Sequence, residues 1–400
     1  YDPGYGSGLN NEDRAIKFER WIMEDPYCKI LCLDGSAFDS TQHKALLQVV
    51  DVNIFNKIIA KHPEISEYCN IEDLIDIASQ DTFEVNSEFF SYKISGTQMT
   101  GRMNTSNGNT TRSLLFLRFV WEEIGGQWEE LNLEAAGDDT IVQLPESKVA
   151  KFIEKAKELV YVQKDSELDP KRDYTDPKAE LDYLQYHGLG QIAKQFDLYD
   201  DINGCEYLSM IILRNSAGQI KMVRKPDRFL QLTPYTLSNN STTTARFHAL
   251  NKDLLIADAQ NILASCYDVR FFREYADAIF RICGKTTKII TKQAAWNDRS
   301  DTRSIDVEEE FENYLYEKYN IDWNDLDEYY ESLRTIEQYE NKQTSIIDKL
   351  NGSPTEQTYR KVHNNIWRDA YTTSLNVSKY IDETIEKNNG LDSIESAWIA

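Results

Sequence analysis

The chain is poor in cysteine, poor in positive charge and without any long apolar run. Its six cysteines, Cys28, Cys32, Cys69, Cys205, Cys266 and Cys283 among 400 residues, are scattered without the paired spacing of a zinc site. That argues against a zinc-bound fold and suits a reducing compartment. No segment approaches the roughly 20 consecutive apolar residues that a membrane-spanning helix needs. No secretory signal is read at the start either, so any membrane attachment is expected to come from elsewhere. Sustained repeats and long low-complexity tracts are absent, which argues against repeat architectures. Lys and Arg number 44 against 67 Asp and Glu, for a formal net charge of −23. Spread evenly, that charge would repel nucleic acid at long range. With 41% hydrophobic residues, the chain has enough apolar material to bury a sizeable core.

What is present is carboxylate at the ends of apolar runs. Lys29-Ile-Leu-Cys-Leu33 leads into Asp34-Gly-Ser-Ala-Phe-Asp39, and Gly137-Asp138-Asp139 interrupts the run from Leu133 to Leu144. Each cluster alone has a plain explanation. Asp39 could help cap the amphipathic stretch Lys44 to Lys61, and a Gly-Asp-Asp could be an ordinary hairpin turn. Together, carboxylates from neighbouring strands would repel one another unless cations lay between them. Hard, oxygen-preferring ions answer that need. Two Mg²⁺ or Mn²⁺ ions held by Asp34, Asp138 and Asp139 would activate a 3′-hydroxyl and stabilise leaving pyrophosphate, the chemistry of a template-directed polymerase.

Between the clusters lies Ser95-Gly-Thr-Gln-Met-Thr-Gly-Arg-Met-Asn-Thr-Ser-Asn-Gly-Asn109. Gly96 and Gly101 let a loop approach a substrate closely. The stretch Asn104 to Trp121 reads as a helix, with Leu114, Leu115, Leu117, Phe119 and Val120 on its buried side. The Asn104 amide can both donate and accept, and with Asp39 and Thr100 it could bind a ribose 2′-hydroxyl. The plain alternative is a polar helix start packed on a glycine turn.

At these residues the chain resembles the RNA-dependent RNA polymerases of RNA viruses, in particular the tombusvirus, luteovirus and nodavirus-like plus-strand groups. Asp34-x-Ser36-x-Phe38-Asp39 is similar to their motif A, Gly96-x-x-Met99-Thr100-Gly101-x-x-Asn104-Thr105-x-x-Gly108-Asn109 to motif B, and Gly137-Asp138-Asp139 to motif C, in the unpermuted order. The chain departs from the common pattern at Thr100, where the family usually has Ser, and at Arg102, where it usually has Asp. Ser95-Gly96-x-x-x-Thr100-x-x-x-Asn104 also fits some double-stranded RNA virus polymerases. The resemblance implies nucleotide binding by Asp39, Ser95, Gly96, Thr100, Gly101 and Asn104.

Fainter similarity follows downstream. Ser147 to Tyr161 carries Val149, Phe152, Ile153, Ala156, Leu159 and Val160 at helical spacing, as a helix backing the catalytic sheet would. Gly188 to Phe196 resembles motif D, which makes Lys194 a candidate general acid for pyrophosphate; the alternative is a solvated strand lysine. Cys205 to Leu213 and Gly218 to Arg224 resemble motif E, a hairpin that grips nascent RNA. Between Gln163 and Tyr186 a charged stretch reads as an exposed inserted loop. Acid is concentrated in Asp301 to Glu340, read as a solvated helical face or loop far from the RNA path. Base is concentrated in Arg214, Lys221, Arg224, Lys225 and Arg228 and in a second group, Arg270, Arg273, Arg281, Lys285, Lys288 and Lys292, and both patches are assigned to the RNA backbone. An ordinary solvent face explains any single member of the second group equally well.

The expected fold is α/β (α+β), a right-hand polymerase palm with partial fingers and a mainly helical thumb. Residues 1–28 would end the fingers and lead into the palm. The palm would span 29–235 with a fingers insertion at about 50–92, and 236–400 would form the helical thumb and a C-terminal extension, with helical stretches at Thr244 to Ser265 and Thr355 to Asn376. The start at Tyr1 suggests the C-terminal part of a larger replicase whose upstream fingers complete the triphosphate site. The resemblance further implies RNA template, nascent RNA, ribonucleoside triphosphates and viral or host replication-complex proteins as partners, with work in the host cell cytoplasm, at a membrane only through other regions or partners. A reverse transcriptase and a non-catalytic replicase scaffold are the competing readings. Asp39 with Asn104 favours a site that accepts a 2′-hydroxyl.

Overall fold

A computed structural model describes residues 4–6, 8–35, 38–42, 46–73, 82–86, 91–95, 98, 104–163, 189, 191–232, 244–284, 303–335 and 345–350. Helix and mainly antiparallel sheet, with one parallel pair, make this an α+β chain. It divides into two compact units, Tyr1–Val223 and Arg224–Ala400.

The first unit is organised by β1 (Lys29–Gly35), whose Ile30 to Leu33 are all buried. A strand apolar on both faces needs cover on both, and β1 has it. Helix α1 (Asn11–Glu24) starts with an Asn10–Asp13 capping box, Asn10 Oδ1 accepting from the Asp13 amide at 2.7 Å. It buries Ala15, Phe18, Trp21 and Ile22, one stripe of a 3.6-residue period, among Ile30, Cys32 and Ile141. Leu31 and Leu33 belong to the other core, with α3 (Thr105–Glu123) and α4 (Glu146–Leu159). Each such side chain taken fully out of water contributes about 1.5–3 kcal/mol.

The main sheet runs β4-β5-β1-β7-β6, with β4 (Leu133–Ala136), β5 (Asp139–Leu144), β6 (Tyr161–Gln163) and β7 (Gln191–Tyr199). β1 lies antiparallel to β5, from Lys29 opposite Leu144 to Leu33 opposite Thr140, and antiparallel to β7 on its other side. The helix expected over Ser147 to Tyr161 runs from Glu146 to Leu159 and buries Val149, Phe152 and Ala156; Tyr161 instead begins β6. In α3 the buried face carries Phe116, Leu117, Val120 and Trp121, while Phe119 is exposed at 41%. The sequence reading had placed Phe119 inside; the helical period rotates it out.

The segment between the first two acidic clusters holds a π-helical turn (Leu47–Val52), α2 (Asn53–Lys61) and a separate hairpin of β2 (Thr82–Asn86) and β3 (Ser91–Ser95). A second, three-stranded sheet contains β8 (Glu206–Tyr207), β9 (Met210–Arg214) and β10 (Ile220–Arg224). The turn between β8 and β9 puts Leu208 and Ser209 at φ of 54° and 60°. This I′-like geometry is normally given to Asn and Gly, and non-glycine residues hold it at a cost of order 1–3 kcal/mol each.

The second unit is helical among its described residues: α5 (Pro226–Leu232), α6 (Thr244–Cys266), α7 (Arg270–Cys283), α8 (Glu308–Tyr319), α9 (Trp323–Thr335) and α10 (Ser345–Leu350). The expected helix Thr244 to Ser265 is α6, and Thr355 to Asn376 lies outside the described residues. Aromatic rings form this core, Phe271 stacking on Tyr329 at 4.7 Å and meeting Phe311 at 5.6 Å. The acid-rich stretch is therefore amphipathic rather than simply solvated, with Phe311, Tyr314, Leu315, Leu326, Tyr329 and Tyr330 buried.

Candidate active site

Strand pairing brings the two acidic clusters together. One step beyond the last bridged pair, Leu33 and Thr140, the register of β1 and β5 sets Asp34 across from Asp139. A Cβ built on Gly35 would lie 3.2 Å from Asp138 Cβ, so the end of β1 touches the turn of the β4–β5 hairpin. That turn is Gly137-Asp138, with Ala136 opposite Asp139. Gly137 has φ of +74° and Asp138 does not share the positive φ, the II′ pattern that requires glycine at the first central position.

Helix α3 clamps this turn. Thr110 Oγ1 accepts from the Gly137 amide at 2.9 Å, and the Ser113 hydroxyl donates to the Gly137 carbonyl at 2.8 Å. Residues three apart on a helix share a face, so the two hydroxyls meet both polar groups of one peptide residue. Thr110 and Ser113 escaped the sequence reading. Their signal was a polar helical stripe continuous with the apolar one.

Asp39 sits in the short 3₁₀ turn Phe38–Thr41 that follows β1. The turn is anchored to β7: the Thr41 hydroxyl donates to Gln191 Oε1 at 2.8 Å and Gln42 Nε2 donates to the same oxygen at 2.7 Å. The Asp39 backbone carbonyl accepts from the Gln98 amide at 3.1 Å, and Gln98 Nε2 donates to Thr105 Oγ1 at 3.1 Å. This joins the acidic turn, the intervening loop and the start of α3.

The amide on the Asp39 carboxylate is a different one from that expected. Asn109 Nδ2, rather than Asn104, donates to Asp39 Oδ1 at 2.6 Å. Asn104 precedes α3 and makes no side-chain cap, its carbonyl accepting from the Gly108 amide at 2.7 Å. One helical turn and a residue separate the two asparagines, enough to put them in different places around the helix.

Lys194 lies on β7 beside the acidic end of β1. Asp34 is paired with Gln195 and Gly35 with Ala193, leaving Lys194 as the extra residue of a bulge. Bulges are over-represented next to active sites, where they re-aim the chain. Ser95 ends β3, paired with Thr82. Gly96, Thr100 and Gly101 lie outside the described residues.

Among the described residues, no three His, Cys, Asp or Glu side chains form a group that could hold a metal ion by themselves. Asp34, Asp138 and Asp139 are like charges at adjacent strand ends, where a cation would offset their repulsion. The donor set nevertheless has the chemistry of a magnesium site. All its ligands are carboxylate oxygens, and Mg²⁺ ordinarily takes one or two of these and completes its octahedron with water and phosphate.

The basic residues fare unevenly. Lys221 is buried at 4% exposure, because its strand β10 is buried along most of its length, and it offers no solvent-facing charge. Arg214 pairs with Asp201 at 3.3 Å, Arg224 and Lys225 are half-buried, and Arg228 is exposed. In the second group, Arg270 lies over the Tyr330 ring at 4.1 Å, Arg273 donates to the Tyr267 carbonyl at 3.1 Å, and Arg281 donates to the Leu333 carbonyl. Those charges serve internal contacts. Lys285, Lys288 and Lys292 lie outside the described residues.

No family model matches the chain, and no curated protein matches it. Among the described residues, no helix is long and apolar enough to cross a membrane.

Proposed function

We propose that the chain carries the palm and thumb of an RNA-dependent RNA polymerase, performing template-directed nucleotidyl transfer from ribonucleoside triphosphates. The reading rests above all on one observation: the strand ending in Asp34 and the turn carrying Asp138 and Asp139 finish side by side. The segments that resemble polymerase motifs A, B and C follow one another in the unpermuted order, which supports the same reading.

Magnesium or manganese held by Asp34 and Asp138, with Asp139 contributing more weakly, would supply Lewis-acid stabilisation of triphosphate oxygens and lower the pKa of the attacking hydroxyl. The chain's own residues do the rest. The Asp39 carboxylate accepts from the ribose 2′-hydroxyl, and the resemblance to motif B assigns nucleotide contacts to Ser95, Gly96, Thr100, Gly101 and Asn104. Lys194 donates a proton to departing pyrophosphate. Arg214, Arg224, Lys225 and Arg228 contact RNA phosphates; Lys221, being buried, does not.

A polar acceptor held at Asp39 favours RNA synthesis over reverse transcription, because a site made to hydrogen-bond a hydroxyl rejects the analogue lacking it. The test is incorporation of matched ribo- and deoxyribonucleotides by the full-length protein on a defined RNA template. Ribonucleotide incorporation dependent on Mg²⁺ or Mn²⁺ is expected. Preference for deoxyribonucleotides would establish a reverse transcriptase, and no incorporation of either would leave a scaffold.

A further inference from the structure

Asp39 does not stand alone. Asn109 Nδ2 donates to it at 2.6 Å, and Asn109 Oδ1 accepts from Arg112 Nη2 at 2.5 Å. Arg112 Nη1 in turn donates to both carboxylate oxygens of Asp51, at 2.7 and 2.6 Å. The ion pair is buried, its side chains 0% and 4% exposed. Asp51 belongs to the π-helical turn Leu47–Val52, a conformation found mostly as single turns and often near functional sites.

The chemistry of this row fixes the amide. An arginine cannot accept and an ionised carboxylate cannot donate, so only one orientation of Asn109 satisfies both neighbours, oxygen to Arg112 and nitrogen to Asp39. Charge at both ends strengthens every bond between them. Gly108 leaves room for the arrangement: a Cβ there would lie 3.1 and 3.2 Å from Arg112 Nη1 and Nη2.

We infer that Asn109, Arg112 and Asp51 are positioning residues that hold the Asp39 carboxylate in the orientation that selects ribose, and so tie sugar selection to the segment around residues 47–61. This rests on the polymerase reading. A buried ion pair serving stability alone does not require a hydrogen bond passed on to a third residue and then to a carboxylate at the site.

The experiment measures the ratio of incorporation efficiencies for a ribonucleoside triphosphate and its 2′-deoxy analogue by the full-length protein on an RNA template. Asn109→Ala keeps the Arg112–Asp51 pair and removes the amide. Its ribose preference is expected to fall about ten- to a hundredfold, the value of one hydrogen bond to a charged group. Gly108→Ala keeps every partner, improves helix propensity and crowds the guanidinium. It is expected to lower the same ratio several-fold with thermal unfolding unchanged or raised. An unchanged ratio in both variants, beside a wild type that prefers ribose, overturns the positioning role and leaves the polymerase reading standing. A wild type that incorporates no nucleotide overturns the polymerase reading itself, and the positioning role with it.

Discussion

Among the described residues of the first unit, two buried ionic groups differ in where they end. Glu134 on β4 receives Arg14 and Lys17 from α1, each at 2.9 Å, and the Tyr207 hydroxyl at 3.3 Å. Arg14 also donates to the Gly6 carbonyl at 2.6 Å. This group joins α1 and the segment before it to the sheet, and burial beside the Glu134 charge holds the Tyr207 phenol well above its usual range. Arg112 and Asp51 are buried just as deeply, yet their row of hydrogen bonds leaves the pair and finishes on Asp39. Burial and pairing describe what an ion group costs to assemble. The direction of its last hydrogen bond describes what it is for.

The largest expected effect tests whether there is chemistry for either group to support. Asp34→Ala should abolish templated synthesis while leaving the cooperative unfolding transition in place, raised slightly if relief of carboxylate repulsion outweighs the lost contacts. Activity and thermal unfolding measured on the same preparation check this. Next, Glu134→Ala leaves Arg14 and Lys17 buried without their anion and should cost about 3–5 kcal/mol in denaturant unfolding. Its sugar preference should equal that of wild type, whereas Asp51→Ala should lose comparable stability and sugar preference as well. Equal preference in the two variants would erase the distinction between the groups.

A smaller effect is expected at the clamp on the Gly137-Asp138 turn. Thr110→Val and Ser113→Ala each remove a hydroxyl from Gly137, at about 1 kcal/mol of stability per bond. Together they should slow synthesis more than either does singly. A separate effect, on stability alone, lies in the second unit at Asp258, where burial raises the carboxyl to about 6 against a partial offset from Arg224. Between pH 4 and 6 the folded chain keeps a proton that the unfolded chain has already released, so stability falls as pH rises through that window. Asp258→Asn should flatten the decline, as read from unfolding midpoints across the range.

The sequence disclosed the parts of the site that are local in the chain. The apolar run Lys29 to Leu33 read as a strand and Gly137-Asp138 as a tight turn, and the resemblance to motifs A and C implied that Asp34 meets the hairpin. The row from Asp39 to Asp51 was not legible, because Arg112 meets a carboxylate 61 residues away and nothing in a polar helical stripe says which residue it faces. Charge read without burial misled at Lys221, which its buried strand takes out of solvent. In the acid-rich stretch the solvated helical face was legible, with Glu309, Asp327 and Glu328 exposed, whereas the depth of the aromatic face opposite it was not.

The central claim is that Asp34, Asp138 and Asp139 form one catalytic centre for RNA synthesis. Its most direct test is extension of RNA on a defined template by the full-length protein with ribonucleotides and magnesium, comparing wild type with Asp138→Ala. The account predicts extension by wild type and none by the variant, with both proteins folded. Extension by Asp138→Ala at a rate near that of wild type would contradict it.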